Sequence, residues 1–105
     1  MKSIKKKLPL KSKENINIIK PGPVYATRGS FKGEVNLQWD AINEVNNYII
    51  EMSRNGTTWH QVDIVADPQY SLEGLTRGRT YFFRVSAMLN GKHLGWSKAA
   101  MKRIK

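Results

Sequence analysis

From Pro21 onward, apolar residues recur at every second position in short runs broken by turn residues, and this pattern most narrows what the chain can become. Val35, Leu37 and Trp39 alternate with Asn36 and Gln38, and Tyr48, Ile50 and Met52 alternate up to Asn55-Gly56. Tyr81, Phe83, Val85 and Ala87 form the clearest run. A period of two places one face of a strand in a core and the other in solvent. Asn55-Gly56 tolerates positive φ and predicts a hairpin turn, with the return strand around Trp59 to Ile64. Tyr70 and Leu72 make a further short strand, and the last one runs from about Ser97 to Ile104. Short strands with turn signals roughly every 8–12 residues, and no helical period, predict an antiparallel β-sandwich.

A chain of 105 residues holds one domain, and at that size a single core needs no covalent staple. It has no cysteine, which excludes disulfides, thiol catalysis and cysteine-based metal sites. The charge is unevenly distributed. Residues 1–20 carry seven lysines against Glu14, and residues 98–105 carry Lys98, Lys102, Arg103 and Lys105 with no acid. Between them, 21–97 holds seven basic and seven acidic residues, so the net charge of +10 comes from the two ends. The sequence therefore divides into a basic flexible arm, 1–20, and a domain, 21–105. Pro9 and mutual lysine repulsion make the arm a poor helix. Ile16-Asn17-Ile18-Ile19 is either an added edge strand or a cover for the foot of the domain.

No apolar run approaches the roughly 18–20 residues that cross a bilayer. Leu8-Pro9-Leu10 is too short for the apolar part of a secretory signal, so synthesis in the cytoplasm without a signal peptide is expected.

The body carries a resemblance in its motifs. Pro23-Val24-x-Ala26, then Gly33-x-Val35-x-Leu37-x-Trp39, then Tyr48-x-Ile50-x-Met52 occur in order. They are followed by Leu72-x-Gly74-Leu75-x-x-Gly78-x-x-Tyr81-x-Phe83-Arg84-Val85-x-Ala87 and by Gly95-Trp96-Ser97. Over residues 21–105 this series resembles a fibronectin type III domain. The resemblance implies a seven-stranded antiparallel β-sandwich of the immunoglobulin-like kind. It also implies a tyrosine corner at Tyr81, whose hydroxyl bonds to upstream backbone. Trp39, Tyr48, Leu72, Leu75, Tyr81, Phe83 and Val85 are the expected core and corner residues. The family often has proline where Arg77 stands. No Arg-Gly-Asp tripeptide occurs in the loop expected around Asn90 to Leu94, and Arg28-Gly29-Ser30 lacks the carboxylate, so integrin recognition is not implied.

No catalytic constellation is recognisable, so no enzyme activity, cofactor, metal or small-molecule substrate is expected. The two histidines, His60 and His93, have no nearby carboxylates at ligand spacing. His60 is expected on a strand facing solvent and His93 on a loop. Trp96 is either a packed residue closing the core or part of a contact surface with Lys92 and His93.

Two functional readings stay open. The resemblance implies a non-catalytic interaction or structural module that docks on a larger assembly, such as a bacterial or phage virion or surface structure. Its protein partner would meet the arm lysines Lys2, Lys5, Lys6, Lys7, Lys11 and Lys13, together with Lys92 and His93. The alternative is weak, sequence-independent contact of the lysine-rich termini with nucleic acid or an anionic surface.

Overall fold

The alternating runs form strands whose inward residues meet in a single core, as the computed structural model of the chain shows for residues 20–105. Eight strands follow in order: β1 (Tyr25–Arg28), β2 (Val35–Gln38), β3 (Asn47–Ser53), β4 (His60–Val65), β5 (Gln69–Leu72), β6 (Thr80–Leu89), β7 (Lys92–Trp96) and β8 (Ala100–Arg103). They make two antiparallel sheets. One is ordered β1-β2-β5. The other is ordered β4-β3-β6-β7, with β8 also paired to β6. Among the described residues no helix is long and apolar enough to cross a membrane.

The eight strands correct the expected seven. β7 and β8 lie along the same partner, with Leu89 opposite Lys92 at one end of β6 and Thr80 opposite Arg103 at the other. Between them Ser97 interrupts the ladder. Its Oγ accepts from the Val85 N–H at 3.0 Å, and its own N–H donates to the Val85 carbonyl at 2.8 Å. A side-chain oxygen thus takes the place of a strand carbonyl, and the edge strand breaks in two. The strand also starts earlier than expected. Asn90 and Gly91 both have positive φ, 53° and 82°, and close a two-residue hairpin directly into Lys92. His93 is accordingly a strand residue of β7, not a loop residue.

The β3–β4 connection is longer than the Asn55-Gly56 dipeptide suggests, running from Arg54 to Trp59. Side chains organise it: Ser53 Oγ accepts from the N–H groups of Asn55 and Gly56, and Asn55 Oδ1 from those of Thr57 and Thr58.

The core consists of Val24, Val35, Leu37, Trp39, Tyr48, Ile50, Tyr81, Phe83, Val85, Ala87 and Ile104, all nearly inaccessible. Leu72 and Leu75 are half-buried and pack against it. Trp39 and Tyr48 meet edge to face with ring centroids 5.4 Å apart, a geometry that suits the aromatic quadrupoles. The Tyr48 hydroxyl accepts from the Ile42 N–H at 2.8 Å, tying the β2–β3 loop to the core. At the opposite pole the Thr76 N–H donates to the Tyr81 hydroxyl at 3.1 Å, the upstream backbone bond of a tyrosine corner.

Strand directions sort the loops between two poles. Tyr25 pairs with Gln38 and Asn47 with Met88, so the start of the domain, the β2–β3 loop and the Asn90-Gly91 turn share one pole. The β1–β2 turn, the β3–β4 connection and the β5–β6 corner share the other.

Candidate interaction surface

Every second residue of β3 and β6 points away from the core, and the register sets Glu51 opposite Arg84. The guanidinium of Arg84 donates from Nε and Nη2 to one Glu51 carboxylate oxygen, at 2.9 and 2.7 Å. Two indole rings pack on the same guanidinium. The Arg84 guanidinium carbon lies 4.3 Å from the ring centre of Trp59 and 4.2 Å from that of Trp96. The His93 ring stands 5.5 Å beyond Trp96, and its Nδ1 is 3.4 Å from Ser86 Oγ. Aromatic, cationic and acidic groups from β3, β6, β7 and the residue before β4 thus form one continuous ladder across the outer face of the larger sheet.

The ladder is flanked by apolar groups that point into solvent. Phe82 pairs with Met101, which is 66% exposed, and Ile49 pairs with Ile64, which is 43% exposed. Tryptophan and arginine are the residues over-represented among the energetic anchors of protein interfaces. Both are held here in fixed geometry before any partner arrives, which lowers the ordering cost of binding.

His93 stands opposite Met88 on this face, and Lys92, opposite Leu89, is exposed beside it at the hairpin end of β7. Trp96 is half-buried, its ring shared between Arg84 and His93. His60 is exposed on β4. Lys2, Lys5, Lys6, Lys7, Lys11 and Lys13, and the strand considered for 16–19, lie outside the described residues. Trp59, Arg84 and Glu51 escaped the sequence reading because their meeting depends on the register of three strands, and no local spacing encodes it.

Two phenols have altered acidity. Hydrogen bonding from Thr76 lowers the Tyr81 pKa below its usual 10, aided by the Arg54 charge and opposed by burial. Burial raises that of Tyr70, and the hydrogen bond and negative charge of Asp63 add to the effect. Among the described residues no group of three or more His, Asp or Glu is placed to hold a metal ion.

Two packed antiparallel sheets, a tyrosine corner and this strand order define a fibronectin type III-like sandwich. No family model matches the sequence, and no curated protein matches it; the likeness is carried by solved structures. An Fn3-like protein from Clostridium thermocellum is similar with a TM-score of 0.73 and 26% identity, covering 79% of this chain and 88% of that one. The sixth fibronectin type III domain from human fibronectin type III domain containing protein 3 is similar with a TM-score of 0.70 and 17% identity, covering 80% of this chain and 82% of that one. Domains A168-A170 of titin match with a TM-score of 0.69 and 22% identity over 79% of this chain and 30% of theirs. Domains of this kind are generally non-catalytic interaction modules.

Proposed function

We propose that this chain is a non-catalytic docking module that uses the outer face of its larger sheet to attach to a protein assembly. The observation that carries this reading is the Trp59–Arg84–Trp96 stack bordered by exposed Met101 and Ile64. An apolar, aromatic surface of this kind loses water on contact with a complementary protein face. Lys92 and His93, at the margin, and the lysines of residues 1–20 add attraction toward an acidic partner. The setting we assign is a bacterial or phage virion or surface structure, built from subunits made in the cytoplasm.

A photoreactive residue placed at Met101 tests the reading in cells. The expected result is a crosslink to one defined protein that is absent when the photoreactive residue stands at Gln38, on the outer face of the other sheet. Equal crosslinking patterns from the two positions would reject the face. The alternative, contact of the lysine-rich termini with nucleic acid or an anionic surface, draws its support from the +6 net charge of residues 1–20. It predicts binding to a DNA duplex that collapses as salt rises.

A further inference from the structure

Residues 21–97 balance seven basic against seven acidic side chains, yet the fold does not leave them mixed. Because successive strands reverse direction, residues far apart in sequence return to the same pole. Arg28 ends β1, Lys32 lies in the β1–β2 turn, and Arg54 follows β3. Arg77 and Arg79 lie in the β5–β6 corner, Arg103 closes β8, and Lys105 follows it. Seven basic residues thus gather where only Glu34 and Glu73 are acidic. Asp40, Glu44 and Asp67 sit in loops at the other pole.

Backbone hydrogen bonds tie the β1–β2 turn, the β5–β6 corner and the residues after β8 together. The Leu75 N–H donates to the Gly33 carbonyl at 3.0 Å, and the Gly33 N–H to that of Lys105 at 3.4 Å. The Gly78 N–H donates to the Ile104 carbonyl at 2.8 Å, and the Ile104 N–H to that of Arg79 at 2.9 Å. All seven basic side chains are exposed, and the single ion pair among the described residues, Arg84 with Glu51, involves none of them. The Glu34 carboxylate is turned inward on its own loop, accepting from the N–H groups of Ser30 and Phe31 at 2.6 and 3.1 Å, and with Glu73 it offsets two of the seven positive charges. Those bonds also fix the turn that presents Phe31, which is 71% exposed.

We infer that this pole is a second binding surface, one for the phosphodiester backbone of single-stranded nucleic acid, with Phe31 as the base-stacking residue. Five of the seven cations are arginines, whose planar forks match phosphate oxygens two at a time. Cations that meet the backbone, with an exposed aromatic ring on which a base can stack, are the elements that hold single strands without reading sequence. A membrane surface fits less well, since the β1–β2 turn offers one isolated aromatic residue where insertion calls for a broad apolar face. The site is formed by the folded body and is independent of the lysines in residues 1–20.

The test is made on the full chain with a short oligothymidylate, measuring the dissociation constant from low to near-physiological salt. Three proteins are compared: the unaltered chain, Arg77→Gln/Arg79→Gln/Arg103→Gln, and a variant with Lys2, Lys5, Lys6, Lys7, Lys11 and Lys13 changed to Gln. Loss of three phosphate contacts flattens the log–log salt slope by about 2. The arm variant is expected to keep the contribution of the pole. Phe31→Ala is expected to weaken single-strand binding by about 5-fold or more while leaving the salt slope and duplex binding unchanged. Unaltered urea midpoints establish that these exposed substitutions leave the fold intact. A triple variant with the unaltered slope, complete loss of binding in the arm variant, or binding to anionic vesicles but not to oligothymidylate would each overturn the assignment.

Discussion

The guanidinium carbon of Arg84 lies over the Trp96 ring, 4.2 Å from its centre, while the same group donates two hydrogen bonds to Glu51. Trp59 also packs against it at 4.3 Å, so one side chain of β6 joins β3, β7 and the residue before β4. Partial burial strengthens each contact, since both charged side chains are less than a third exposed. Arg84→Ala is expected to destabilise the domain by about 1–3 kcal/mol, combining two cation–π contacts with a charge-assisted hydrogen-bond pair. Arg84→Lys recovers only part of this, because an ammonium offers no plane for two rings to stack on. Urea midpoints of the two variants decide the point, and a lysine variant as stable as the parent would show that charge alone matters.

The Tyr81 hydroxyl does for the β5–β6 corner what Arg84 does for the sheet face: one polar group of β6 ties it to a neighbouring segment, here beside the backbone bonds of Leu75 and Gly78. Tyr81→Phe keeps the ring in the core and removes the acceptor for the Thr76 N–H. A loss of about 0.5–1.5 kcal/mol is expected, the net worth of one hydrogen bond. The midpoint should fall with no change in the denaturant slope, since the same surface is buried. An unchanged midpoint would count against the corner as a stabilising device.

How much of this could be read from the chain depends on the range of the interaction. Val35, Leu37, Tyr81, Phe83 and Val85 were legible because burial imposes a period of two on neighbouring residues, and the structure buries each of them. Tyr81 was legible as a corner through the motif around it. The broken edge strand was not, because it depends on Ser97 Oγ reaching the Val85 N–H across the sheet. The composition around His93 suggests a loop for a related reason: the two-residue turn at Asn90-Gly91 is tighter than five loop-like residues imply. The Glu51–Arg84 pair and both tryptophan contacts require knowledge of register, which a hairpin signal at Asn55-Gly56 does not supply. The charged pole was hidden most completely. A segment with zero net charge gives no hint that strand reversal will collect its arginines at one end.

Gly33 tests how tightly the foot of the sandwich is closed. Its φ is +77°, and a methyl group there would meet the Leu75 carbonyl oxygen at 2.8 Å, a backbone atom that cannot swing aside. Gly33→Ala therefore combines left-handed strain with a clash, at a cost of about 1–3 kcal/mol. It should also disturb the hydrogen bonds that Gly33 makes with Leu75 and Lys105. Amide exchange of Leu75, followed alongside the urea midpoint, separates the two effects. A midpoint and an exchange rate equal to those of the parent would show that the foot yields freely.

The two phenols with opposite shifts predict an alkaline signature. Tyr70 has its pKa raised by burial and by Asp63, so folding favours its neutral form. Its contribution to stability is fully present below the unfolded pKa of 10 and is lost as pH rises through the higher folded value. Tyr81 has its pKa lowered by the Thr76 hydrogen bond, so folding favours its phenolate. That contribution is present above 10 and is lost as pH falls through the folded value. Absorbance at the phenolate band should therefore show Tyr81 ionising before Tyr70 as the folded domain is made alkaline. Tyr70→Phe removes the high-pH step and should flatten the loss of stability above pH 10, whereas Tyr81→Phe removes the low-pH step and should abolish the gain of stability just below pH 10. Urea midpoints measured on either side of pH 10 read both slopes. Identical slopes in the parent and the Tyr70→Phe domain would mean that neither burial nor the Asp63 carboxylate holds this hydroxyl neutral.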